Sequence, residues 1–398
     1  MDFDDTPEEA AFRAEARAWL STHATRRSPA ASGAVRAHVT DDAGQARHVA
    51  ASREWQRTLC DGHWAGITWP EKFGGRGGTA MQQMIFAQEQ ADYDVAVGPL
   101  MVGLGMVAPT LMALGRPDQQ ERHLAPMLRG DEMWCQLFSE PGAGSDLPSL
   151  ATRAERDGDE YVVNGQKVWT TLAQFSDWGI LLARTERDVP GRAGISYFLL
   201  DMRTPGIDVR PLRQATGVAH FNEVFLTDVR VPAANLVGAP GEGWQAARVT
   251  MASERMAIGG GGGTTFDDVA ALVRALGGLD DAVERQQVAS TYISFELLRF
   301  LRLRLQTALS QGRTPGVEGS LLKLAFSLHT ARLGDLGLGL LGADALAGGG
   351  QHPEADFWRE RFLSQWATRI GGGTDQIQRN QIAERVLGLP REPAASPA

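Results

Sequence analysis

Gln136-Leu137-Phe138-Ser139-Glu140-Pro141-Gly142-Ala143-Gly144-Ser145-Asp146 is the stretch on which the reading of this chain turns. Small residues after a proline let backbone N–H groups approach a ligand closely and cradle anionic groups or ring acceptors. A lone Gly-x-Gly reads best as an ordinary surface turn, but eleven residues in this order carry more weight. The same stretch marks a change of period. Upstream, Thr6-Pro7-Glu8-Glu9 supplies a helix N-cap, a proline in the first turn and an acid at its third position. Phe12, Ala16, Trp19 and Leu20 then fall on one helical face. Residues 26–46 have no period and read as a mobile loop, and helical patterns resume around 48–60 and run to about 130.

Downstream the pattern is of strands. Tyr161-Val162-Val163, Asn164-Gly165 and Val168-Trp169 read as a tight hairpin. Runs at 179–183, 195–200 and 224–231 follow with turn residues and no helix between them, which defines an antiparallel β-domain. After Pro232 the spacing predicts helices over 244–258, 267–277, 281–311, 317–342, 355–369 and 374–387, with Ile293, Leu297, Leu301 and Leu305 on one face. The fold class expected is mostly α with a central β-domain. A helical N-terminal domain (1–132) precedes an antiparallel, barrel-like middle domain (133–237) and a C-terminal four-helix-bundle domain (238–398).

Composition narrows the function. The chain has 398 residues, 43% hydrophobic and 22% charged, which excludes a disordered, collagen-like or multi-span membrane protein. A net charge of −9 argues against nucleic acid as a partner. Lys72, Lys167 and Lys323 are the only lysines among 39 basic residues, a bias that reads as genomic. Cys60 and Cys135 are too few for a disulfide framework and point to a reducing cytoplasm. The acidic start, Met1-Asp2-Phe3-Asp4-Asp5, lacks the basic region of a secretory signal. Residues 95–115 are uncharged, but their prolines and glycines favour a pair of buried helices broken at the prolines over a membrane span. Eight scattered histidines show no metal-ligand spacing, so no metal is expected. Gly259 to Gly263 follows a helical stretch, not a strand, so a dinucleotide fingerprint fails on context.

The 136–146 segment resembles the first signature of the acyl-CoA dehydrogenase family. Asn164-Gly165-Gln166-Lys167-Val168-Trp169-Thr170-Thr171 resembles the family's β-domain hairpin, and the loop from Pro240 to Trp244 its entry to the C-terminal helices. Gly371-Gly372-Gly373-Thr374-Asp375-Gln376-Ile377-Gln378-Arg379 is similar to its closing motif. The likeness covers nearly the whole chain. It implies FAD as cofactor, with Gln136, Phe138 and Ser139 along the flavin and Gly144 and Ser145 at the diphosphate end. Ser145 would also touch the CoA part of the substrate. Trp169 would shield the flavin, Thr170 and Thr171 would lie beside it, and Thr374 and Gln376 would close over the cofactor. Alone, Trp169 would read as a hairpin core aromatic.

The reaction the resemblance implies makes a 2,3-unsaturated acyl-CoA. A base takes the α-proton of the thioester while the β-hydrogen leaves as hydride to the flavin. The best-known members carry that glutamate in the closing motif, at the position of Gly372 here. Isovaleryl- and long-chain-type members carry it on the first C-terminal helix before an arginine, and Met251-Ala252-Ser253-Glu254-Arg255 supplies that pair. Met251, Glu254 and Ile258 share an apolar face. For a lone helical glutamate beside arginine a solvated ion pair is the ordinary reading. The missing acid at Gly372 shifts the weight to Glu254 as base, with Arg255, Gly372 and Gly373 beside the substrate. Glycines at 371 and 372 leave room for a branched or bulky acyl group.

By the same resemblance, electrons pass to an electron-transfer flavoprotein. The family's Arg-x-x-Phe-Gly stretch, which grips FAD across a subunit boundary, is missing at Val273-Arg274-Ala275-Leu276-Gly277. A Gln and Gly-Gly pattern is replaced by Gly339-Leu340-Leu341-Gly342-Ala343. The chain is therefore expected as a homo-oligomer or a hetero-oligomer with a sister subunit. Two rivals stay open: a non-catalytic, half-site subunit of a heteromeric complex, and an oxygen-using flavoenzyme of the same fold, an acyl-CoA oxidase or monooxygenase.

Overall fold

The computed structural model describes residues 5–27, 41–186, 188–189, 191–259, 263–311, 318–346, 352 and 354–391, with the side chains of 255–259, 306, 309 and 310 outside that description. The described residues through Glu254 form one compact unit and those from Arg255 onward a second.

The first unit opens with α1 (Pro7–His23). Its capping box is complete, because Thr6 accepts from Glu9 N while the Glu9 carboxylate accepts from Thr6 N. Phe12, Ala16 and Leu20 are buried as the spacing predicts, and Trp19 packs against them. Most of the loop expected at 26–46 lies outside the described residues. The next helix, α2 (Asp42–Asp61), starts six residues earlier than the apolar pattern, since the Asp41 carboxylate caps it by accepting from Gly44 N. With α3 (Ala80–Gln90) these helices enclose an aromatic core in which Trp64 stacks on Phe86 at 4.9 Å and Trp19 tilts over Trp55 at 5.8 Å.

Residues 95–115 are not two helices broken at prolines. A π-helical turn, Gly103–Val107, runs directly into α4 (Ala108–Leu114). Pro109 has no N–H to give, and the wider turn ahead of it, closed by Ala108 N donating to Gly103 O, lets the helix continue. The last helix before the sheet is α5 (Pro117–Arg129). No helix among the described residues is long and apolar enough to cross a membrane.

Eight strands follow: β1 (Trp134–Leu137), β2 (Arg153–Asp157), β3 (Glu160–Thr171), β4 (Trp178–Arg184), β5 (Ile195–Asp201), β6 (Ile207–Leu212), β7 (Phe221–Pro232) and β8 (Leu236–Val237). Their order is β6-β7-β3-β2-β4-β5-β8, with β1 on β4. All pairs are antiparallel except β1 with β4 and β2 with β4. The hairpin expected at Asn164-Gly165 is corrected: β3 passes straight through these residues, and its own hairpin is with β2. The register against β7 shifts between Val163 and Gly165, where the Asn164 side chain bonds Asp228 (Nδ2 to Oδ1 3.0 Å; Asp228 N to Oδ1 3.0 Å). A Cβ on Gly165 would lie 2.3 Å from Thr152 Oγ1, so this glycine serves a close approach inside the sheet rather than a turn.

Helix α6 (Gly243–Gly259) carries the chain from the first unit into the second. The second unit adds α7 (Phe266–Ala275), α8 (Ala282–Ser310), α9 (Glu318–Leu341), α10 (Ala343–Leu346), α11 (Ala355–Ile370) and α12 (Asp375–Arg385). α9 is its axis, packed by α8, α11 and α12 as a four-helix bundle requires. The apolar stripe on α8 is only half used: Leu305 is buried, while Ile293 and Leu297 are exposed. α9 meets α11 through bare backbone. A Cβ on Gly337 would stand 2.1 Å from Cε3 of the fully buried Trp358, whereas Gly339 of the same helix faces open space. Gly337→Ala is therefore expected to cost about 1–3 kcal/mol through overpacking. Gly339→Ala should gain about 0.5–1 kcal/mol from helix propensity. Chemical denaturation of the two variants reads the opposite signs.

Candidate active site

The 136–146 segment leaves β1 and turns sharply at Glu140-Pro141-Gly142-Ala143. Two backbone bonds close the turn, Glu140 N to Ala143 O (3.0 Å) and Ala143 N to Glu140 O (3.1 Å). Beneath it sits a buried charge pair. Lys167, on β3 and with no exposure, donates through Nζ to Glu140 Oε1 (2.8 Å) and to Phe138 O (3.1 Å). The other bonds to the Glu140 carboxylate come from the backbone, Ala151 N (2.6 Å) and Thr152 N (2.9 Å). Val168 N then donates to Ser139 O (2.9 Å). The carbonyls of Phe138 and Ser139 are thus both occupied inside the protein, and the turn can present its outer face to a ligand.

That outer face is open. A Cβ on Gly142 or Gly144 would meet nothing within 4 Å, and Ser145 is exposed. Gln136 and Ser139 are half-buried, and Phe138 is buried edge-on against Tyr197, with centroids 6.0 Å apart. Just beyond Lys167 the strand is strained. Trp169 takes φ +61° at a second register shift between Lys167 and Thr170, and its ring stays 60% exposed with one edge against Phe221. A bulky residue held in the left-handed region with its ring in solvent signals a site rather than a core. Beside it the buried Thr170 Oγ1 has no hydrogen-bond partner, although Thr170 O accepts from Asn222 Nδ2 (3.0 Å). A buried hydroxyl left unsatisfied costs about 1–3 kcal/mol, a cost that a polar cofactor edge would remove. Thr171 follows, half-buried. The glycine-rich turn, the orphaned hydroxyl and the exposed indole fit a large planar cofactor with an anionic tail.

Glu254 lies in α6, half-buried, three residues after Met251, which packs against the core of the first unit. Arg255 continues the helix, but its side chain, like that of Ile258, lies outside the described residues. The remaining candidates belong to the second unit. Gly372 and Gly373 take φ +64° and +85°, and Gln378 Nε2 donates to the carbonyls of both (3.0 and 3.3 Å). A side chain at 372 would have to accept a left-handed backbone, which glycine takes without strain. Thr374 caps α12 by accepting from Ile377 N (3.2 Å), while Gln376 is exposed. Asp375 is almost fully buried and accepts from Ser327 Oγ and from Arg369 Nε (3.0 Å), with Lys323 Nζ at 3.7 Å.

Each candidate turn is therefore held from below by a carboxylate buried with a lysine, and the motif reading assigned neither lysine this role. Only the structure reveals it: in a chain where arginine supplies almost all positive charge, both Lys167 and Lys323 are completely buried, and no sequence period announces that. Among the described residues no group of three or more His, Cys, Asp or Glu is placed to hold a metal.

Three successive segments match the acyl-CoA dehydrogenase N-terminal (6–131), middle (135–229) and C-terminal (241–387) domains. The chain is 38% identical over 391 residues to the acyl-CoA dehydrogenase IpdE1 of Mycobacterium tuberculosis, covering 96% of this chain and 98% of that one. It is 32% identical to FadE29 of the same organism, over 99% and 100% of the two chains. Among solved structures, the steroid acyl-CoA dehydrogenase Tcur3481-Tcur3483 superposes with a TM-score of 0.81 at 27% identity, covering 98% of this chain and 100% of that one. The ChsE4-ChsE5 complex of M. tuberculosis gives 0.77, also at 27%, with 98% and 100% covered. The chain belongs to the acyl-CoA dehydrogenase family, oxidoreductases of lipid metabolism whose members generally depend on FAD.

The Lys167–Glu140 pair makes a testable claim. Burial pushes the Lys167 ammonium down to about 8, against the pull of Glu140. Burial acts to raise Glu140, but the Lys167 charge and the hydrogen bonds it accepts outweigh this and hold it below the usual range. Lys167→Met would leave a buried carboxylate without its counter-charge and should cost about 3–5 kcal/mol, part of which Glu140→Gln in the same chain restores. Between pH 8 and the ordinary lysine value of 10.5 the unfolded chain binds a proton that the folded one has lost. This site's contribution to stability therefore rises with pH across that window. Denaturation curves from pH 7.5 to 10.5 should show the rise in the parent and lose it in Lys167→Met.

Proposed function

We propose that this chain is an FAD-dependent acyl-CoA dehydrogenase that forms a 2,3-unsaturated thioester from a bulky, steroid-type acyl-CoA, with Glu254 as the base. The observation that carries the reading is the open cradle of residues 142–145 beside the unpartnered Thr170 hydroxyl and the exposed Trp169. Gln136, Phe138, Ser139 and Thr171 would line the flavin and Gly144 and Ser145 the diphosphate, with Trp169 over the ring. Thr374 and Gln376 are the second unit's candidates for the cofactor, and Ser145, Arg255, Gly372 and Gly373 those for the substrate. FAD, when bound, supplies the two-electron acceptor for the β-hydride. Glu254 takes the α-proton onto its carboxylate, and the proton and hydride leave a carbon–carbon double bond conjugated with the thioester.

The steroid-type substrate is inferred from the Tcur3481-Tcur3483 enzyme and from the glycines at 371–373, which bring no side-chain bulk. Assembly with a sister subunit is favoured by a specific observation: the stretch at 273–277 lacks the family's interface motif, and the ChsE4-ChsE5 neighbour is a complex of two chains. An electron-transfer flavoprotein is the proposed electron acceptor.

Glu254→Gln keeps the size and hydrogen bonding of the side chain but cannot take the proton. Loss of a general base typically slows turnover by about 10²–10⁴-fold, while FAD content and acyl-CoA affinity should stay near those of the parent. The comparison uses protein purified alone and co-expressed with a sister chain, because a mixed complex would acquire its yellow colour only in the second preparation. Parent-like turnover by Glu254→Gln would remove Glu254 from the reaction.

A further inference from the structure

Tyr197, Thr250 and Thr110 come from β5, α6 and α4, and none of the three has any exposed surface. Their hydroxyls form a chain: Tyr197 Oη lies 3.1 Å from Thr250 Oγ1, which lies 2.8 Å from Thr110 Oγ1. Thr110 Oγ1 also reaches Met106 O (2.8 Å), in the π-helical turn, and Thr250 Oγ1 reaches Ala246 O (3.0 Å). Carbonyls only accept, so Thr110 gives its one proton to Met106 O; with Thr250 donating to Thr110 and Tyr197 to Thr250, the three hydroxyl protons fill one directed line from Tyr197 to the π-helical turn.

The place of this chain is what makes it informative. α6 lies directly on the backbone of β5: a Cβ on Gly243 would be 2.4 Å from Ser196 C and Tyr197 N, and Ala246 and Ala247 are buried. Gly241 N, just ahead of the helix, donates to Ser196 Oγ (2.9 Å). Small residues allow that close approach but do little to fix the roll of the helix, since a smooth apolar contact tolerates slippage. A buried hydroxyl chain does not, because any other roll strands polar groups in the core. Thr250 stands one turn before Glu254 on the same side of α6. Tyr197 also packs its ring against Phe138, the residue that leads into the 139–146 turn.

We propose that Tyr197, Thr250 and Thr110 are positioning residues for the reaction, a buried hydroxyl chain that sets the roll of α6, and with it Glu254, against the strand that also supports Phe138. The proposal rests on Glu254 being the base. It predicts that losing the Thr250 hydroxyl misplaces the carboxylate without emptying the cofactor site, and an error of about 1 Å can cost on the order of 10²-fold in rate.

The test is anaerobic single-turnover flavin reduction by holoenzyme, using whichever of butanoyl-, isobutanoyl-, cyclohexanecarbonyl- and cholan-24-oyl-CoA reduces the parent fastest. Thr250→Val keeps the β-branched shape and should slow reduction about 10–100-fold, with FAD content unchanged and a larger isotope effect from α-deuterated substrate. Thr250→Ser returns the hydroxyl and should recover to within about threefold of the parent. In the Glu254→Gln background Thr250→Val should add no further loss, which a merely structural threonine would not satisfy. Tyr197→Phe replaces Thr250→Val throughout if the latter fails to fold. A parent-like rate and isotope effect in these variants, or an equal loss with and without Glu254, would overturn the proposal. Glu254→Gln reducing like the parent, or a parent reduced by none of the four, would instead remove the reading beneath it.

Discussion

A lysine buried against a carboxylate is the constraint on which the rest of the first unit's site depends. Isolated, either charge in that environment would destabilise the fold, so the pair can exist only if Glu140 and Lys167 meet with their hydrogen bonds filled. Meeting fixes the end of β1 against the middle of β3. Glu140 then also takes two backbone N–H groups from residues 151 and 152, and Lys167 takes the carbonyl of Phe138. Three segments are pinned by one pair, and the turn at 140–143 and the strained backbone at Trp169 are its two shoulders. Strain at Trp169 persists because Val168 on one side and Asn222 on the other are hydrogen-bonded into the sheet.

The second unit repeats the principle with different parts. Asp375, almost fully buried, holds Ser327, Arg369 and Lys323 around the start of α12, and Gln378 fastens the two left-handed glycines before it. A buried carboxylate gives a turn one geometry, whereas apolar packing would allow several. It is a costly way to gain stability and an effective way to gain specificity.

Much of the fold was legible because it rests on period and caps. The Thr6 capping box marked α1, and the helices after Pro232 lie within about two residues of their expected ends, because each is bounded by turn residues or a cap. The misreadings share a cause. Asn164-Gly165 has hairpin chemistry, but Gly165 is there to let Thr152 approach. Pro109 has helix-breaker chemistry, but a π-helical turn absorbs it. In the first a tertiary contact outranks the local preference, and in the second a wider backbone turn accommodates it. Of the site, the cradle and Trp169 could be found by motif. Lys167 and the Tyr197–Thr250–Thr110 chain could not, since a buried lysine or threonine has no period, only partners distant in sequence.

The first unit holds both a glycine-rich turn open on its outer face and a helix that carries one half-buried carboxylate, and the function proposed for this member of the acyl-CoA dehydrogenase family uses both. Anaerobic addition of a steroid-type thioester, cholan-24-oyl-CoA, to the purified flavoprotein tests this most directly, with the sister subunit present where it is needed for colour. The account predicts that the flavin absorbance near the blue–violet maximum is lost within the mixing experiment and that a 2,3-unsaturated thioester appears in equal amount. A flavin that stays oxidised with that thioester and with the smaller acyl-CoAs, in a preparation that contains its full complement of FAD, would contradict it.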